Sequence, residues 1–138
     1  MVKPASFCTI CTNNCKQELA GFLLSLSLHH PNETVYIMCD TDTQEYIYNM
    51  SLEPRLKIIW HVTLDPFSKF TRTEMEENRI WSEFQMAKAD IIQIALNKED
   101  DTLFLDSDTI ILDVLNDINP LKKLGVSPQF IKQNNVDE

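Results

Sequence analysis

The chain has 138 residues, a formal charge of −9 from 12 Lys+Arg and 21 Asp+Glu, and 43% apolar residues. That length suits one domain able to bury about two-thirds of the surface its unfolded chain exposes, and the apolar share excludes a disordered composition. The acidic balance is spread along the chain with no basic arm, which excludes nucleic acid and an anionic membrane surface as general partners.

Ser6–Thr12 is short and rich in β-formers and predicts a strand, broken by Asn13-Asn14. Lys16–His29 places Leu19, Phe22, Leu23 and Leu26 at the i, i+3, i+4, i+7 spacing of an amphipathic helix, with His29 and His30 at its end and Pro31 as its stop. The two histidines read as helix-end residues, where a cation meets the dipole. Thr34–Cys39 predicts a second strand, Thr43–Met50 a short helix and Leu56–Trp60 a third strand. Residues 62–80 read as polar and irregular, with Glu74–Glu77 as a solvated acidic face. Phe84–Asn97 predicts a second amphipathic helix with Ala87, Ile91, Ile94 and Ala95 on one side, and Trp81 and Phe84 as its core anchors. Lys98–Asp101 is a charged turn, Thr102–Leu105 a fourth strand and Ile110–Leu112 a fifth, short one. Strands alternating with helices, and strands apolar almost throughout, predict an α/β sandwich of Rossmann-like type with a mostly parallel sheet. The tail 113–138 has apolar residues without a clear period.

The opening residues lack the apolar stretch of a signal peptide, and no apolar run nears the ~18 residues of a membrane span. Both point to a cytoplasmic protein with four free thiols: Cys8, Cys11, Cys15 and Cys39. Cys8 and Cys11 are an odd number apart on a strand and so face opposite sides, which argues against a zinc site. His61 reads as a strand-end residue.

Glycine narrows the chemistry. Average usage predicts about ten, and the chain has two, Gly21 and Gly125. A glycine-rich phosphate cradle is excluded, so phosphate binding must rest on a metal or on side chains. The run Thr102-Leu-Phe-Leu-Asp-Ser-Asp-Thr-Ile-Ile-Leu112 supplies the pattern for a metal. Asp106 and Asp108, two apart on extended backbone at the carboxyl end of a parallel strand, point to one spot. Paired hard oxygens there suit Mg²⁺ or Mn²⁺, which also take phosphate oxygens as ligands.

Leu103–Thr109 resembles the DxD motif of the GT-A-fold, nucleotide-sugar-dependent glycosyltransferases, in the glycogenin-like and lipopolysaccharide galactosyltransferase branch. Phe7–Asn13, the Ser25–His30 stretch, and the basic pair Arg79 and Lys88 match further parts of that family in order. The resemblance implies a hexosyltransferase-type module that takes a nucleotide-diphosphate sugar, a UDP-sugar being favoured. Asp106 and Asp108 would hold the ion that bridges the diphosphate, and Ser107 would touch the ribose through its backbone. Ile10, Thr12 and Asn13 would line the nucleobase pocket, and Asp40 would read a base edge. Arg79 and Lys88 would approach the phosphates or the donor sugar. Lys16 stands where the family often places an aromatic ring. Family members also carry a second, acceptor-binding half with a further metal ligand. The 138 residues are therefore expected to be the donor-binding domain, with 113–138 leading toward that half. Neither an acceptor nor a catalytic residue is assigned. A homo-oligomer or a complementing chain would complete the enzyme. The alternative is a non-catalytic nucleotide-binding or interaction remnant. The Asp-x-Asp motif of haloacid-dehalogenase-type phosphatases is a poorer match, since it needs Thr where Ile110 stands.

Overall fold

The computed structural model describes residues 2–51, 55–119 and 124–125. Strand β1 (Phe7–Cys11) runs into a 3-10 turn at Asn13–Cys15 and then helix α1 (Lys16–His29). Strand β2 (Thr34–Cys39), helix α2 (Thr41–Tyr48) and strand β3 (Lys57–Val62) follow. After a 3-10 turn at Asp65–Phe67 come helix α3 (Arg72–Glu77), helix α4 (Trp81–Leu96) and strand β4 (Leu103–Phe104). The four strands form one sheet in the order β3-β2-β1-β4, and all its pairings are parallel. The chain is thus α/β, with a parallel sheet flanked by helices.

Side chains alternate across the sheet, and each face buries a different set. Phe7, Cys11, Val35, Ile37 and Cys39 pack with Leu19, Phe22, Leu23 and Leu26 of α1 and Ile47 of α2. Cys8, Ile10, Tyr36 and Met38 pack on the other side with Ala87, Ile91 and Ala95 of α4. The two cysteines of β1 therefore lie on opposite faces, as their odd spacing requires. Burying each large apolar side chain stabilises the layers by about 1.5–3 kcal/mol, which is why the four periodic residues of α1, all fully buried, fix that helix against the sheet.

Four expectations are corrected. Residues 62–80 are not irregular throughout: Thr71 caps α3 through Glu74 N–H, and the Glu74 side chain returns to Thr71 N–H, a capping box. α3 buries only Met75 and leaves its glutamates solvated. Secondly, Ile110–Leu112 forms no strand. The Ile111 N–H goes to Ser25 Oγ (2.9 Å) and the Leu115 N–H to His30 Nε2 (2.8 Å), so this segment lies along α1 instead of extending the sheet. Thirdly, His30 is fully buried beside Phe7, with ring centroids 5.2 Å apart. Burial holds its pKa below the ordinary value, and an Nε2 that accepts a hydrogen bond belongs to a neutral ring, not to a cation at a helix end. Finally, Asp106–Thr109 is a turn closed by Thr109 N–H on the Asp106 carbonyl (3.0 Å), not extended backbone.

Helices α2 and α4 begin earlier than the expected Thr43 and Phe84. Asp40 caps α2 by accepting from Thr43 N–H (3.0 Å). α4 starts at Trp81, whose ring lies 5.6 Å from that of Phe84 and under the Arg72 guanidinium at 4.7 Å. Of the tail 113–138, residues 120–123 and 126–138 lie outside the described residues. Val2 and Ile118 exchange both backbone hydrogen bonds in an isolated antiparallel bridge.

Candidate functional site

The chain leaves β1 through α1 to one side and, after β3, returns by α4 to place β4 on the other side of β1. The order reverses between β1 and β4. In open α/β sheets ligands bind at the carboxyl ends of the strands at such a switch point, because the two outgoing loops part there and open a crevice. Here those loops are Thr12–Cys15 and Asp106–Thr109, and they touch: Ser107 Oγ lies 3.7 Å from Cys15 Sγ.

On the β4 side, Asp106 and Asp108 are both exposed and Ser107 is half-buried. The Lys88 ammonium of α4 stands 3.6 Å from Asp106 Oδ1 and 5.8 Å from the Phe104 ring centroid. The two carboxylates offer hard oxygens on one turn. Among the described residues no group of three or more His, Cys, Asp or Glu side chains forms a cage for a metal ion. A donor set of two carboxylates fits an ion that takes its other ligands from phosphate and water, the usual way Mg²⁺ is held at phosphate sites. It does not fit an all-protein site.

On the β1 side, Asn13 N–H donates to Asp40 Oδ2 (2.8 Å), while Asp40 Oδ1 holds Thr43 N–H. Asp40 is fully buried, so its carboxylate ties the β1 loop to the start of α2. Asn13 Oδ1 is buried without a hydrogen-bond partner among the described residues. Ile10 and Thr12 are buried, Ile10 against the α4 layer. Asn14 Nδ2 reaches the Phe70 carbonyl (2.8 Å) and fastens the loop before α3 to this edge. Lys16 lies over the Tyr46 ring at 5.1 Å.

Lys88, Asp106 and Ser107 are thus brought together, and Ser107 reaches the loop that carries Thr12 and Asn13. Arg79 is exposed and makes no ion pair among the described residues. It occupies the left-handed region with φ 60°. Arg79 N–H bonds the Glu76 carbonyl (3.2 Å) and Ile80 N–H the Met75 carbonyl (2.9 Å), the Schellman closure that normally uses glycine at Arg79's position.

Sequence reasoning named Cys11 and Cys15 as free thiols but missed that they meet at this edge. Cys11 Sγ and Cys15 Sγ lie 3.1 Å apart, and the Thr12 carbonyl is 3.2 Å from the first and 3.4 Å from the second. Cys15 is half-buried and stands at the N-cap of α1. A hydrogen bond from Cys11, with a further one from Ser107, lowers its pKa to about 6 against the pull of burial. The helix N-terminus acts in the same direction. Cys11 is pushed upward by the same contact and by burial. Burial raises Cys8 to about 11 and Cys39 to about 12. The Cys-x-x-x-Cys spacing across the strand-to-helix junction was the available signal. No helix among the described residues is long and apolar enough to cross a membrane. Comparison with protein-family models, with curated proteins and with solved structures finds no match to this chain.

Proposed function

We propose that this chain binds a nucleoside-diphosphate sugar at the β1–β4 crevice and serves metal-dependent glycosyl transfer, as a GT-A-type donor domain. The observation that carries this reading is the convergence at the switch point. Lys88, Asp106 and Ser107 gather at the end of β4, in contact with the loop after β1. With two glycines in the chain, phosphate charge has to be met by side chains and an ion rather than by a backbone cradle.

In this reading Asp106 and Asp108 would hold Mn²⁺ or Mg²⁺. A bound ion supplies Lewis-acid stabilisation of the departing nucleoside diphosphate. Lys88, whose contact with Asp106 is exposed, would bind a phosphate oxygen of the donor. Ile10, Thr12 and Asn13, at the end of β1 and in the loop that follows, would line the base pocket. Asp40 acts beneath it as a positioning residue, holding the Asn13 backbone in place. Arg79 approaches the donor from the α3–α4 junction. The free thiols agree with a reducing compartment, the cytoplasm.

The test is the melting temperature of the chain with Mn²⁺ and uridine diphosphate or a UDP-sugar. Ligand binding to the native state alone raises it by mass action. Asp108→Asn should abolish the metal-dependent part of the shift while leaving the unliganded melting temperature unchanged. An unaltered shift in that variant rejects the metal assignment, and no shift with any nucleotide rejects the donor site.

A further inference from the structure

We propose that Cys15 and Cys11 form a thiol–disulfide exchange site: Cys15 attacks a low-molecular-weight disulfide, and Cys11 resolves the product into an intramolecular Cys11–Cys15 bond. The geometry carries this. The two sulfurs are already 3.1 Å apart, and closing to a bond length of about 2.05 Å needs a shift of about 1 Å. They differ in access as an attacking and a resolving thiol must: Cys15 is half-buried at the N-cap of α1, and Cys11 is 1% exposed. Ser107 Oγ, 3.7 Å from Cys15 Sγ, is placed to donate to a thiolate there. The other two thiols, Cys8 and Cys39, are fully buried.

The exchange balances in two steps. Cys15 thiolate attacks one sulfur of the small disulfide RSSR. The Cys15–SR bond forms, the S–S bond of RSSR breaks, and one RS⁻ leaves and takes a proton from water. Cys11 then gives its proton to solvent and attacks Cys15 Sγ. The Cys11–Cys15 bond forms, the Cys15–SR bond breaks, and the second RS⁻ leaves as RSH. Counting the proton that Cys15 gives to solvent on ionising, the dithiol loses two electrons and two protons, and RSSR is reduced to two thiols. The hydrogen bonds from Cys11 and Ser107 favour the thiolate form of Cys15, the form that attacks. The largest influence holding Cys11 protonated is its contact with Cys15, and that contact loses its charge once Cys15 carries the mixed disulfide. That influence on the resolving thiol is thereby lifted, while burial of Cys11 remains.

Oxidation also takes from Ser107 its sulfur acceptor, so the turn that bears Asp106 and Asp108 loses its tie to the β1 loop. The exchange itself does not depend on nucleotide binding and is read without any nucleotide.

The experiment incubates the full chain with glutathione disulfide and follows intact mass, with fragmentation of the tryptic peptide 1–16 that carries Cys8, Cys11 and Cys15. Wild type should lose the mass of two hydrogens, retain no glutathione, and show the bond between Cys11 and Cys15. Cys11→Ser should stop at one glutathione on Cys15. Cys15→Ser should take up none and lose no hydrogens, and Cys15→Ala repeats that test with a different packing. Far-ultraviolet circular dichroism confirms that each variant compared is folded. Glutathione retained on wild type, a bond to Cys8, or uptake by both folded Cys15 variants equal to that of wild type overturns the proposal.

Discussion

Lys88 reaches from α4 to the turn after β4 and sets its ammonium 3.6 Å from Asp106 Oδ1, with side chains 37% and 66% exposed. Exposed pairs of this kind contribute about 0–1 kcal/mol, so the contact does not hold the fold together. Lys88→Ala should therefore shift the urea midpoint by less than about 1 kcal/mol of stability. The same variant should weaken binding of a nucleoside diphosphate by about 1.5–3 kcal/mol, the loss of a charge-assisted contact, and leave nucleoside binding unchanged. Isothermal titration of both ligands checks this. An equal fall in the two affinities would identify Lys88 as a helix-surface charge only.

Asp40 has a different balance. It is fully buried and its two oxygens serve Asn13 and Thr43 N–H. Asp40→Ala removes a helix cap and strands a backbone donor, at a cost of about 2–4 kcal/mol. Asp40→Asn retains an oxygen for one of the two and should lose less. Denaturant unfolding of both variants gives the order. A base-reading carboxylate without the latch would leave stability unchanged in either.

His30 makes stability depend on pH. Its native pKa lies below the ordinary 6.5, first because of burial and then because of Lys3 and His29. The unfolded chain therefore binds the proton more readily than the native one. The stabilisation is complete above the unfolded pKa and is lost as pH falls from there through the native value. His30→Phe should flatten that part of the stability profile. At neutral pH it should also cost about 1–3 kcal/mol, because the Leu115 N–H loses its acceptor. Thermal unfolding across pH 5 to 8 separates the two effects.

Arg79 carries backbone strain in a place where glycine would carry none. A non-glycine residue in the left-handed region costs about 1–2 kcal/mol, and glycine returns about 0.5–1 kcal/mol of that in unfolded-state entropy. Arg79→Gly should stabilise the chain by up to about 1 kcal/mol. If the guanidinium serves the donor, the stabler variant should bind nucleoside diphosphate more weakly. Measuring midpoint and affinity on the same preparation exposes that trade.

Local pattern made α1 and β2 legible. Leu19, Phe22, Leu23 and Leu26 mark one helix face, Pro31 closes it, and Thr34–Cys39 is unbroken β-former, so both elements match their expected bounds. α3 was hidden because Met75 is its sole buried residue and a lone apolar position has no period. Its capping box, Thr71 with Glu74, was the overlooked sign. The absent fifth strand was illegible for another reason. Ile110–Leu112 has strand composition, and what diverts it is Ser25, 86 residues earlier. The carboxylates of the candidate site were found by motif. The turn that carries them, and the thiols beside them, depend on contacts between segments that no local window contains.

The seam between β1 and β4 has a kinetic consequence. β4 contributes two residues to the sheet and, among the described residues, pairs on one side only, with Phe7 and Cys8. The hydrogen bond at its entrance joins Ala5 to Asp101, 96 residues apart. Neighbours so distant in sequence meet only after a large loop closes, and pairings that depend on such closure are slow to form. With so short a ladder, this seam is also the one to open first in native-state fluctuations. The amides of Leu103 and Leu105, bonded to Ser6 and Cys8, should exchange with solvent well before those of β2. A ligand held by both loops spans the seam, and its protection of those two amides would report its arrival directly.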